Sequence, residues 1–131
     1  MNYVERAENV VKSLYLDERG KKNRKGMITT SQIRNLLSGI SDIFNDVVIL
    51  DEGSQLPADI VDRVNYLKVQ FVYESGRHGG ALKNFIDKAG LIKEIENAAA
   101  SKEAFIKMER YMEALVAYHK YYGGEDYDKK A

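Results

Sequence analysis

Apolar residues recur along this chain at steps of three and four, and glycine, proline or a run of charge marks each break. Val4, Ala7, Val11 and Leu14 share one helical face, widened by Tyr3, Val10 and Leu16, which predicts a first helix over about residues 2–16. DERGKKNRKG (17–26) interrupts the rhythm with two glycines and five cations, so 17–28 reads as an exposed basic loop. A second helix, about 29–50, starts at Thr29 or Thr30 and carries Ile33, Leu36, Leu37, Ile40, Ile43, Phe44 and Val47. Pro57 suits the first turn of a third, about 57–75, where its missing N–H costs nothing. That helix shows Ile60, Val64, Leu67 and Phe71 on one face and Tyr66, Val69 and Tyr73 on another, and Gly76 and Gly79-Gly80 interrupt it. Leu82, Phe85, Ile86, Ala89, Ile92 and Ile95 predict a fourth helix over about 81–97, with Gly90 as a weak point inside it.

Ser101 is placed to cap the last helix, about 101–122. Its seam is Phe105, Met108, Met112, Leu115, His119 and Tyr122, with Tyr111, Ala114, Tyr118 and Tyr121 beside it. An apolar arc this wide predicts a central helix, or one with a second face for a partner. Residues 123–131 read as a flexible tail. The expected fold is all-α, a single-domain bundle of about five helices over residues 1–131.

Composition supports this and removes alternatives. One proline and an abundance of good helix formers favour helices throughout. Lys+Arg and Asp+Glu number 20 each, so no global charge calls for nucleic acid or membrane, yet a balanced total leaves room for a local basic patch. Without cysteine there are no disulfides and no thiolate metal sites, which points to a reducing, cytoplasmic setting. Glu5, Arg6 and Glu8 sit where a signal peptide would be apolar. No apolar run approaches the roughly 18 residues of a membrane span.

Catalytic chemistry finds little to stand on. His78 and His119 are far apart and have no HxxxH or ExxH spacing, so no metal is expected. GRHGG lacks the spacing and strand context of a dinucleotide fingerprint, and no cofactor is expected. Glu109 and Glu113, spaced i, i+4, read as a solvated face rather than an acid/base pair. The chain is not expected to be an enzyme.

Three stretches together carry a resemblance: GMITTSQIRNLL (26–37), YLKVQFVYESGR (66–77) and YMEALVAYHKYYGG (111–124). In order and separation they resemble the small, all-helical subunit of the type III-A CRISPR–Cas effector, the Csm complex. The similarity runs from about residue 26 to 124. The resemblance implies a non-catalytic subunit in antiviral defence, whose copies line up as an inner filament beside the backbone subunits that hold the guide RNA. Its implied partners are the guide RNA/target RNA complex, the backbone and large subunits, and other copies of itself, with no membrane. It implies contact with RNA backbone without sequence readout, because base pairing to the guide already reads sequence. The rival reading is a helical adaptor or self-associating module with no nucleic-acid contact.

The candidate residues have two readings each. Among Thr29, Thr30 and Ser31 one hydroxyl is expected to cap the second helix, worth about 1 kcal/mol. The remaining first-turn N–H groups and the helix dipole would suit a phosphate, with Arg34 one turn in. Lys21, Lys22, Arg24 and Lys25 are either a solvated loop or an enlargement of that positive field. Tyr66, Phe71 and Val72 read as core before stacking platforms. Lys68 falls between apolar positions and snorkels at an edge, while Arg77 either enters an RNA groove or pairs with Glu74. Most of Tyr111, Tyr118, Tyr121 and Tyr122 should pack inside, with one or two facing a neighbouring subunit. Lys120 is a further candidate for RNA contact.

Overall fold

The computed structural model describes residues 2–78 and 80–125, with His78 described by its backbone alone. Among them are six helices: α1 (Tyr3–Tyr15), α2 (Thr30–Val47), α3 (Ala58–His78), α4 (Gly80–Ala89), α5 (Leu91–Ala98) and α6 (Lys102–Tyr121). A 3-10 turn, Arg24–Gly26, lies between α1 and α2. The all-α fold agrees with the periodicity, and no helix among the described residues is long and apolar enough to cross a membrane.

The wide arc of the last helix has the expected consequence, since α6 is the central helix and packs against α1, α2 and α5. Phe105, Met108, Met112 and Leu115 form its buried seam. On the far side α3 spans α2, α4 and α5 through Ile60, Val64, Leu67 and Phe71. The buried side chains form one continuous core, the arrangement that buries an apolar stripe from every helix.

Local chemistry sets the helix ends. Asn2 caps α1 by accepting from the Glu5 N–H at 2.8 Å, and Ser101 caps α6 by accepting from the Ala104 N–H at 3.1 Å. The α6 C-terminus closes with Gly123 N–H donating to Lys120 O (3.1 Å) and Gly124 N–H to His119 O (2.7 Å), the pair of bonds that satisfies the last carbonyls of a helix. The tail reading therefore needs correcting at its start. Gly123 and Gly124 form the cap, Gly124 is buried against the His119 ring and Glu125 pairs with Arg24, while 126–131 lie outside the described residues.

Four other readings change. The predicted fourth helix is two, α4 and α5, because Gly90 sits in the left-handed region (φ +67°), where a side chain would be strained. The third helix runs through Gly76 to His78, the cost of one helical glycine being only about 1 kcal/mol. Val4 of the first stripe is exposed, and Ala7, Val10, Val11 and Tyr15 carry the burial of α1. The basic loop is no plain coil. Asp17 accepts from the N–H groups of Arg19 and Lys21, Leu16 bridges Lys22, and the turn at Gly26 crosses the end of α1 so closely that an added Cβ would clash with Leu14 O.

Candidate nucleic-acid interface

The start of α2 is the natural place to begin. Thr29 is the cap: its Oγ1 accepts from the Gln32 N–H (3.0 Å), and Gln32 Oε1 accepts from the Thr29 N–H (2.9 Å), a reciprocal capping box. Thr30, one residue on, turns to the other side of the helix. Its hydroxyl meets His119 Nε2 at 3.1 Å, while His119 Nδ1 meets the Tyr15 hydroxyl at 2.6 Å. Burial pulls the His119 imidazole down to about 4, helped by the nearby charges of Lys120 and Arg34. The ring is therefore neutral near pH 7, with one nitrogen donating and the other accepting, and both hydroxyl partners are matched. Such a closed set is a structural joint tying α1, α2 and α6, not a metal ligand.

Charge gathers around that joint. Arg34 follows Thr30 by one turn and is exposed; Lys120 follows His119 and is also exposed. The Lys22 side chain lies over Gly123 at the end of α6, where a cation meets the negative end of the helix dipole. Arg24 pairs with Glu125 at 3.5 Å, and Lys21 and Lys25 are exposed in the same loop. Candidates from three separate stretches of sequence thus converge on one end of the bundle.

Three other candidates lie away from this end: Ser31 and Arg77 at the groove between α2 and α3, and Lys68 on the side of α3 that meets α5. Lys68 holds Glu96 and lowers that carboxyl's pKa through the hydrogen bond. Arg77 pairs with Glu74 at 3.4 Å, the alternative to groove entry in its two readings. Arg77 and Ser31 line an open groove of about 1020 Å³ between α2 and α3. Tyr66 (63% exposed) and Tyr73 (62%) stand on its wall, with Val69 between them. Of the three residues read as core, only Phe71 is buried; Tyr66 and Val72 face solvent. The signal was present: Gln70 and Arg77 share the stripe of Tyr66, Val69 and Tyr73, and polar residues at those steps mark an outward face.

The tyrosines divide sharply. Tyr111 is 1% exposed and cannot meet a neighbouring subunit; its hydroxyl donates to Ala89 O at 2.8 Å, and Arg6 lies over its ring at 4.4 Å. Burial pushes that phenol up to about 12. Tyr122 is half-buried and donates to Glu8, and Tyr118 stacks on it. Tyr121 is left prominently exposed. The solvated reading of Glu109 is also overturned. It is 6% exposed, and burial together with Glu113 raises its carboxyl to about 7. The i, i+4 spacing alone could not show that α6 is wrapped on this side.

Known proteins decide what this arrangement belongs to. The family model Csm2 Type III-A matches residues 5–125. The chain belongs to the Csm2 type III-A family. Csm2 relatives agree across nearly the whole length: the CRISPR system Cms protein Csm2 of Streptococcus thermophilus is 40% identical over 126 residues, 95% of this chain and 94% of the relative. The Csm2 protein of Mycobacterium tuberculosis is 37% identical over 125 residues, with the same coverage. That of Enterococcus italicus is 40% identical over 97 residues, 72% of this chain and 68% of the relative. The Csm2 match bears out the resemblance carried by the three quoted stretches and extends it to most of the first helix and the whole basic loop.

Proposed function

We propose that this chain is a non-catalytic small subunit of a type III-A CRISPR RNA-guided interference complex in the cytoplasm. Its copies form the inner filament and hold the phosphate backbone of target RNA or the guide–target duplex, in company with the backbone and large subunits. The observation that carries the RNA contact is the gathering of Arg34, Lys120, Lys21 and Lys25 at one end of a chain with no net charge. Exposed cations on a rigid frame attract phosphate at any sequence. Catalysis, on this reading, belongs to other subunits.

The test is fluorescence polarisation of labelled single-stranded RNA, titrated at several salt concentrations with wild type, Arg34→Ala and Lys120→Ala. Each variant is expected to weaken binding alike for unrelated sequences and to lower the salt slope by about 0.7 per lost phosphate contact. Loss confined to particular sequences, or no change in slope, would refute backbone contact at this end.

A further inference from the structure

The end of α6 carries three tyrosines in different settings: Tyr118, Tyr121 and the C-cap Tyr122. Tyr122 is half-buried and donates its hydroxyl to Glu8 of α1. Tyr118 lies nearly parallel to it, with ring centroids 6.2 Å apart and 28° between the planes. Tyr121 stands across this pair, at 5.0 Å and 89° to Tyr122 and at 6.5 Å and 88° to Tyr118. Edge-to-face contacts of this kind are favourable and fix the angle of a ring. Tyr121 is nevertheless 76% exposed, more than any other aromatic side chain among the described residues.

A single apolar residue at a surface is ordinary, and it is the surroundings of Tyr121 that give it meaning. The backbone beneath it is closed by the Gly123 and Gly124 cap bonds, so the ring needs little further ordering to receive a ligand. Lys120 precedes it on the helix, and the Lys22 side chain lies over Gly123 two residues on. Thr30, one turn before Arg34, meets His119 on the same turn of α6. A pre-oriented ring flanked by cations is the combination that holds single-stranded nucleic acid, the cations tracking phosphates and the ring taking a base. A docked protein would want a wider apolar patch, whereas the exposed positions one and two turns back on α6 are Ala117 and Glu113.

We propose that Tyr121 is a stacking platform for one unpaired base of single-stranded RNA, whose flanking phosphates meet the cations of this end. The ring reads no sequence, because every base offers a π face. It discriminates strand form instead, since a base inside a continuous duplex is already stacked on its neighbours and cannot lie on Tyr121. The inference rests on the RNA contact proposed above and adds to it the form of strand that this end prefers.

The chain has nine tyrosines and no tryptophan, so Tyr121→Trp places a single indole at the site. The position is exposed, where substitutions usually leave the fold intact. A short single-stranded RNA, titrated into the full chain at low salt, should quench that indole. The matched duplex and inorganic polyphosphate should not, and Ile49→Trp, beyond the far end of α2, should respond to none of them. In polarisation titrations Tyr121→Ala should weaken single-stranded binding about tenfold, the effect of losing one stacked base, with the salt slope unchanged. Tyr121→Phe should bind like wild type. Absence of quenching, or equal quenching by polyphosphate, would overturn the proposal. So would an equal loss in Tyr121→Phe, which would mean a hydroxyl bond, or an equal loss on duplex. If Tyr121→Ala binds RNA like wild type but enters the assembled complex poorly, the ring faces a protein subunit and the proposal fails. Arg34→Ala separates the two ideas: weaker binding and a lower slope there, with Tyr121→Ala unchanged, sinks the stacking alone, while a wild-type chain that binds no RNA sinks both.

Discussion

Thr30 and Ser31 are neighbours in sequence and belong to different surfaces. Thr30 and Arg34 lie on the flank of α2 that meets His119 and Lys120. Ser31 and Asn35 lie on the flank that opens into the groove with Tyr66 and Tyr73. A step of one residue turns a helix by about 100°, so one amphipathic segment with a narrow buried stripe can present two unlike edges. The first edge is charged and tied to a buried polar joint; the second is aromatic, uncharged apart from the Arg77–Glu74 pair, and open. Thr29 is spent on the cap and Thr30 on His119, so under the proposed function it is the cations of this edge that would meet phosphate.

The largest break in this contrast should come from His119→Ala. It opens a cavity in the core and strands the Tyr15 and Thr30 hydroxyls, a loss of about 3–4 kcal/mol in urea unfolding. RNA affinity should fall with it, because Arg34 and Lys120 lose their common support. Gly26→Ala follows at about 2–3 kcal/mol, since the basic loop would have to lift off Leu14 O. Thermal unfolding checks it, and a loss under 0.5 kcal/mol would show that the loop is not held against α1.

Proton linkage sharpens the comparison within α6. His119 is lowered to about 4 in the fold, so its contribution is full above the unfolded value near 6.5 and is lost as pH falls toward 4. Glu109 is raised to about 7, so its contribution is full below about 4.5 and is lost as pH rises through 7. The two slopes oppose each other between these limits and should leave a flat wild-type profile. Glu109→Gln should stabilise by about 3 kcal/mol at pH 8 and by nothing at pH 4. In that background the acid loss from His119, about 3 kcal/mol, should emerge in denaturant titrations. A variant profile parallel to wild type would show that Glu109 ionises freely. The smallest effect belongs to Thr29→Ala, about 1 kcal/mol of stability with RNA affinity unchanged. A parallel loss of RNA binding would return the hydroxyl to the phosphate site.

Much of the fold was legible because helical spacing is a local property. The buried faces of α2 and α6, the Ser101 cap and a hydroxyl cap among Thr29, Thr30 and Ser31 follow from three- and four-residue steps and from side chains that satisfy first-turn N–H groups, while packing decided that Thr29 is the cap and that α6 is central. The family was legible too, from three stretches in order. What spacing could not reveal is which neighbour covers a second stripe. Tyr111 and Tyr73 both sit beside a seam, yet Tyr111 is sealed under Arg6 and the Ala89 carbonyl while Tyr73 meets water. Glu109 reads as solvated until α6 is seen wrapped by its partners. The split of Arg34 from Arg77 arises the same way. Periodicity assigns residues to the sides of a helix, but burial, pKa and the company a charge keeps are set by elements distant in sequence, and only their packing decides them.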